Sequence, residues 1–176
     1  QQQKKFFVEL DKIQQKSQKD PESIKAFIRK VEHANGNLLL DESDTRRLID
    51  QQLRDAGWEA DSDLLRYSKG IRPQKGKNIA IAEWPTKSGP VDYALFAGLE
   101  LVGLVEAKKQ CKDVSSALKQ TARYSKDYII KDNEVLPEGA PWNGYKAPFI
   151  FSTNGRAFLE QIKTQSGIWF RDLRSP

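Results

Sequence analysis

Asp92 is followed fourteen residues later by Glu106, and Lys108 stands two residues further on, at the end of an apolar run. In an extended strand, side chains two apart share a face, so Glu106 and Lys108 project together while Ala107 turns away. The run Leu101-Val102-Gly103-Leu104-Val105 is short, nearly without polar groups, and reads as a buried strand. Two carboxylates and an amine at the margin of such a strand are costly to desolvate without partners. The set suits a hard divalent cation and the hydrolysis of a phosphodiester. Mg²⁺ prefers octahedral oxygen coordination with one or two protein carboxylates and several retained waters. Asp92 and Glu106 meet that demand, and the Ala107 carbonyl is a third candidate oxygen. Lys108 would stand beside the cation, where an ammonium can position a water or stabilise charge on the phosphate. The geometry requires Asp92 and Glu106 on neighbouring antiparallel strands, which a turn at Ala97-Gly98 allows. The plain alternative is a Glu106–Lys108 ion pair at a strand end, worth about 0–1 kcal/mol, with Asp92 capping a turn.

The elements that must position these residues are visible as patterns. Asp41 is a candidate N-cap for a helix over 41–56, with a stripe of Leu48, Ile49, Leu53 and Ala56 and a stop at Gly57. Residues 68–78 form a basic connection containing Lys69, Arg72, Lys75 and Lys77. Ile79–Trp84, Val91–Phe96 and residues 99–108 then predict a three-stranded meander, with a turn from Pro85 to Pro90. A helical pattern over Val114–Ile130 repeats Ala117, Leu118, Thr121, Tyr124 and Tyr128 on one side. After a loop rich in Pro and Gly over 136–148, Pro148–Thr153 reads as another buried strand and 156–173 as a small hairpin. The order helix, three strands, helix, strand predicts a mixed α/β domain over 37–176. Ahead of it, Phe6, Phe7, Leu10 and Ile13, then Ile24, Phe27, Ile28 and Val31 after Pro21, predict two helices over 1–36, a helical appendage.

Composition removes several kinds of chemistry. With one His and one Cys, an ordinary zinc site is not available, and His33 would have to serve a Ser-His-Asp triad from within a helical stretch. Cys111 has no internal disulfide partner, which favours a reducing compartment and predicts a cytoplasmic location. No apolar run approaches the roughly 20 residues of a membrane span, and no signal peptide is expected. The balance of 29 basic against 24 acidic residues, net +5, is compatible with a polyanion partner. The chain starts with Gln and contains no Met, so it is expected to be a piece of something longer.

Two further features bear on the Asp-Glu-Lys set. Gln120 and Tyr124 are four apart in a helix that leaves directly from it, so they share one face and can contact a DNA backbone or orient the lysine. Glu42 and Asp44 open the helix over 41–56, where carboxylates are favoured by its positive end, and one of them is a candidate further acid.

Pro90-Val91-Asp92, Glu106-Ala107-Lys108 and Gln120-x-x-x-Tyr124 together resemble the PD-(D/E)xK nuclease superfamily in its RecB-like branch. More narrowly, residues 41–173 resemble the N-terminal region of restriction (R) subunits of type I restriction–modification enzymes. The stretches that carry this are Glu42-Ser43-Asp44-Thr45-Arg46, Ala56-Gly57-Trp58, Val91-Asp92-Tyr93-Ala94-Leu95, Val105-Glu106-Ala107-Lys108-Lys109, Gln120-Thr121-Ala122-Arg123-Tyr124 and Phe151-Ser152-Thr153-Asn154-Gly155. The resemblance implies a restriction-endonuclease-like α/β fold, a central mixed sheet flanked by helices, and Mg²⁺-dependent cleavage of double-stranded DNA. It also implies methyltransferase and specificity subunits as partners and an ATP-driven helicase motor. No Gly-x-x-x-x-Gly-Lys-(Ser/Thr) loop is present here, so the motor is expected outside this chain. By the same resemblance Asp92 and Glu106 bind metal, Lys108 is catalytic, Gln120 and Tyr124 support activity, and the acid of the first helix falls at Glu42, with Asp44 second. Lys109, Lys112, Arg123, Lys75 and Lys77 are candidate DNA contacts. Residues 1–35 have no counterpart in the resemblance. The rival expectations are a non-catalytic DNA-binding or scaffolding module on a degenerate nuclease fold, which the intact Asp-Glu-Lys set argues against, and a repair nuclease of the same superfamily.

Overall fold

The computed structural model describes residues 42–108, 114–155 and 168–175, all within one compact unit, Leu40–Pro176. The helices expected over 1–36 lie outside the described residues. Along the described chain the elements are α1 (Glu42–Asp55), β1 (Glu59–Ala60), a 3₁₀ turn (Tyr67–Lys69), β2 (Asn78–Thr86), β3 (Gly89–Ala97), β4 (Glu100–Ala107), α2 (Val114–Asp127), β5 (Phe149–Thr153) and β6 (Ile168–Asp172). The strands form one six-stranded sheet in the order β1-β2-β3-β4-β5-β6. β1 runs parallel to β2 and β5 parallel to β4, while the other pairings are antiparallel, so the sheet is mixed as expected.

The helices cover opposite faces. Ala80, Ala82, Tyr93, Leu95 and Val105 pack with Ile49 and Leu53 of α1, whereas Ile79, Ile81, Phe96, Leu104 and Ile150 pack with Ala122, Tyr124 and Tyr128 of α2. The alternation of Ile79/Ile81 with Ala80/Ala82 is what sends one set to each side. Trp84 anchors the α2 layer, fully buried, with its ring 4.7 Å from Phe96 and 4.9 Å from Tyr67 between centroids.

α1 ends as its sequence demands. Gly57 takes φ 90°, the Gly57 N–H donates to the Arg54 carbonyl at 2.9 Å and the Trp58 N–H to the Leu53 carbonyl at 3.0 Å. This is the paired closure of a left-handed C-terminal cap, and Trp58 and Leu53 supply its apolar contact. Strands β2 and β3 run further than expected toward their turn, because Pro85 and Pro90 occupy one rung close to it, where few ladder bonds are lost. β1 was not anticipated, since two residues leave no periodicity to read. Of the hairpin expected over 156–173, the described part is β6, which pairs antiparallel with β5. Among the described residues, no helix is long and apolar enough to cross a membrane.

A buried polar link fixes α1 on the sheet. The Tyr93 hydroxyl donates to Asp50 Oδ1 at 3.0 Å and lies 3.3 Å from the Arg46 carbonyl, while the Ser62 N–H donates to Asp50 Oδ2 at 2.8 Å. Burial lifts the Asp50 carboxyl above the usual carboxylate range against these donors. Removing one donor leaves a buried carboxylate oxygen short of a partner. Tyr93→Phe is expected to lower stability by about 1–3 kcal/mol, measured as a reduced urea midpoint with an unchanged slope.

Candidate active site

The candidate site lies on the rung where two strands lose their regular alternation. In β2, Trp84 joins the α2-facing cluster with Ile79 and Ile81, although parity would send it the other way. In β3, Val91 and Tyr93 are two apart yet belong to opposite clusters. The slip falls at Glu83 and Asp92. Pairs on either side, Ala82↔Tyr93 and Trp84↔Val91, leave these two acids facing each other on the intervening rung. Glu83 has φ 53°, a left-handed conformation unusual for a residue with a Cβ. Such irregularities re-aim side chains at functional edges.

Asp92 and Glu106 stand on neighbouring antiparallel strands, as expected. The paired register of β3 and β4 reaches Tyr93↔Val105, and one rung further brings Asp92 level with Glu106. Asp92 Oδ2 accepts the Ala107 N–H at 2.8 Å, so the carboxylate is tied across the two strands. Ala107 thus contributes its N–H to Asp92 in addition to the carbonyl considered above.

Glu106 and Lys108 do share a face: Lys108 Nζ lies 2.7 Å from Glu106 Oε1, with the Glu106 side chain 6% exposed. The same ammonium donates to Gln120 Oε1 at 3.1 Å, and Gln120 Nε2 donates to the Tyr124 hydroxyl at 2.8 Å. The chain of bonds assigns the amide, because an oxygen must meet the ammonium and the nitrogen then turns to the phenol. Tyr124 is buried in the core beneath, so it fixes Gln120, which fixes Lys108. The backbone of Lys108 is pinned too, its N–H donating to the Thr153 carbonyl at 2.8 Å. Burial, and then the facing charge of Asp92, lift the Glu106 carboxyl from 4.5 to about 7 against the pull of Lys108 and Arg46.

Arg46, one turn into α1, was not picked out as a site residue. Its guanidinium donates from Nη2 to Asp92 Oδ1 at 2.7 Å and from Nη1 to Glu83 Oε1 at 3.1 Å. Arg66 Nη1 reaches the same Glu83 oxygen at 3.0 Å. Burial alone would pull the Arg46 guanidinium down, but Asp92 and Glu83 more than reverse it. A cleft of about 300 Å³ opens beside this network, with Ser43, Arg47 and Ser62 also in its wall. Glu83 carried a usable signal, an acid interrupting the buried run Ile79–Trp84. Arg46 carried none, since nothing local marks a partner 46 residues away.

The other expected residues fall as follows. Glu42 is the first residue of α1, and its side chain lies outside what is described; Asp44 is buried. Lys109 and Lys112 lie outside the described residues. Arg123 is exposed on α2. Lys75 and Lys77 are not brought to the acids: the Lys77 carbonyl accepts the Gly98 N–H at the β3–β4 turn, six positions along the chain from Asp92, roughly 20 Å at strand rise. Lys77 also faces Glu59 at 3.5 Å. Arg72 is a brace, stacked 3.6 Å above the Tyr67 ring and paired with Asp132 at 2.7 Å. Among the described residues, no group of three or more acid, His or Cys side chains is assembled as a metal cage. The site is a facing pair of acids with an amine.

Residues 59–176 match a family model described as the second domain of the type I restriction enzyme EcoKI endonuclease subunit. Over 164 aligned residues the chain is 44% identical to the type I restriction enzyme EcoKI endonuclease subunit of Escherichia coli (strain K12), covering 78% of this chain and 14% of that subunit. No solved structure matches. On the family model and this relative, the chain belongs to the type I restriction enzyme endonuclease-subunit family, corresponding to the domain that follows the first.

Proposed function

We propose that this chain is the Mg²⁺-dependent nuclease part of a type I restriction enzyme, cutting double-stranded DNA without reading its sequence. The observation that carries this is the meeting of Asp92, Glu106 and Lys108 on and just beyond two adjacent strands, with Gln120 and Tyr124 behind the amine. The PD-(D/E)xK pattern read from the sequence is consistent with that arrangement. The motor that consumes ATP, and the methyltransferase and specificity subunits, belong on this reading to the rest of the assembly. The chain spans 14% of the length of the curated relative it matches. The expected working place is the cytoplasm, where DNA and a reduced Cys111 coexist.

The donor set fits a hard divalent cation. Two carboxylates forced together under burial raise a pKa, and that repulsion is what a cation between them relieves. Asp92 and Glu106 would hold it, with the Ala107 carbonyl as a further oxygen. Bound there, Mg²⁺ supplies charge neutralisation at the phosphate and a water of lowered pKa. The protein's own groups do the rest. Glu106 and Gln120 hold the Lys108 ammonium in one direction, which lets it orient the attacking water and offset charge growing on the phosphate oxygens. Tyr124 keeps Gln120 from rotating away. The Ala107 N–H keeps Asp92 turned toward β4. Arg123, Lys109 and Lys112 are the basic residues proposed to meet the DNA backbone, as are Lys75 and Lys77 at the far end of the β3–β4 hairpin.

Two outcomes test this. In the complete enzyme with ATP and its partner subunits, Asp92→Ala, Glu106→Ala and Lys108→Ala are each expected to reduce Mg²⁺-dependent plasmid cutting by at least about 10²-fold; full cutting by all three contradicts the reading. The second concerns stability in EDTA. Because the folded pKa of Glu106, about 7, lies above its ordinary 4.5, the proton-linked stability it adds is fully present below 4.5 and lost as pH rises through 7. Glu106→Gln, which never ionises, is therefore expected to gain in Tm over the natural chain as pH rises from about 4.5 to 7, with the gain level above that range. A difference independent of pH would contradict the burial and repulsion assigned to Glu106.

A further inference from the structure

Asp92 is held on both oxygens. Oδ2 accepts the Ala107 N–H at 2.8 Å and Oδ1 accepts Arg46 Nη2 at 2.7 Å. The Arg46 and Asp92 side chains are only 15% and 17% exposed, so the pair is poorly screened. The other arm of the same guanidinium grips Glu83, which Arg66 also grips. One arginine therefore spans the two acids on the irregular rung, and each of them keeps a second partner.

We propose that Arg46 is a positioning residue that holds Asp92 while no metal is bound, competes with the divalent cation for that carboxylate, and withdraws onto Glu83 when the cation binds. This rests on the reading of Asp92 and Glu106 as cation ligands. The fork shape makes the exchange feasible. Nη1 and Nη2 serve different carboxylates, so giving up Asp92 leaves the guanidinium anchored through Glu83. Losing one partner of a poorly solvated ion pair is costly when the remaining charge is stranded. Here neither end is stranded: Asp92 gains the cation, and Arg46 keeps Glu83. The left-handed backbone at Glu83 has a role in this account, since it turns that acid toward α1 and within reach of both arginines. The consequence is a site whose facing acids stay apart and oriented before loading, and whose cation affinity is set below what its carboxylates alone would give.

The test is a calorimetric titration of the full chain with Mn²⁺. Arg46→Gln is expected to bind Mn²⁺ more tightly than the natural chain by about fivefold or more, the equivalent of one partly screened ion pair. Arg46→Lys keeps a charge near Asp92 but cannot bridge both acids, so its affinity is expected between the two. It carries the test alone should Arg46→Gln fail to fold. A merely structural brace would let Asp92 drift when removed, weakening Mn²⁺ binding, so unchanged or weaker binding in the variants overturns the inference. Glu106→Ala separates the two layers of the account. If the natural chain gives no Mn²⁺ binding, or binding that survives Glu106→Ala, the cation-ligand reading itself falls and takes this inference with it.

Discussion

Two carboxylates on the neighbouring strands β3 and β4 are brought together with little water to screen them, and the surroundings are organised by that confrontation. Three cationic groups answer it. Lys108 lies against Glu106, Arg46 against Asp92, and Arg66 takes the remaining acid of the rung, Glu83. Even so, Glu106 keeps a carboxyl lifted to about 7, chiefly by burial and next by Asp92. A protein selecting for stability alone would replace such a pair with apolar side chains of similar volume. Charge repulsion retained between the two central strands of a close-packed sheet is a feature characteristic of functional sites.

The scaffold explains how such a strained place is held. A core on each face of the sheet fixes the strands laterally, with Trp84 and Val91 directly beside the two acids of the irregular rung and fully buried. From one face α1 delivers Arg46, locked by the Tyr93–Asp50–Ser62 link. From the other, α2 delivers Gln120 over buried Tyr124. The two helices therefore address different members of the acid pair. α1 governs Asp92 and Glu83, and α2 governs Lys108 and through it Glu106. Such a division of labour gives each helix a separate lever on one small site.

Much of this is legible in the amino-acid sequence. The short, largely apolar runs Ile79–Trp84 and Leu101–Val105 marked the strands, the i, i+4 spacing of Gln120 and Tyr124 marked a shared helical face, and Gly57 marked the end of α1. The Glu106–Lys108 pairing followed from strand parity alone. What escaped is what no local rule reaches. Arg46 and Glu83 meet across 37 residues, and the meeting depends on a slip in alternation that sequence pattern hides: Trp84 and Val91 look like ordinary members of regular strands. The basic loop shows another limit of local reading, since its charge does not tell where the fold carries it. Charge density drew attention to Lys75 and Lys77, but the topology carries them to the turn end of the hairpin, remote from the acids. Arg72, from the same run, is consumed by stacking on Tyr67.

The account turns on whether a hard cation settles between Asp92 and Glu106. Anomalous diffraction from crystals of the chain soaked in Mn²⁺ reads this directly. The expected result is a single peak with carboxylate oxygens of both residues about 2.0–2.3 Å away and the Lys108 ammonium still directed at Glu106. A peak elsewhere on the surface, or no peak while Asp92 and Glu106 remain as they are, would contradict it.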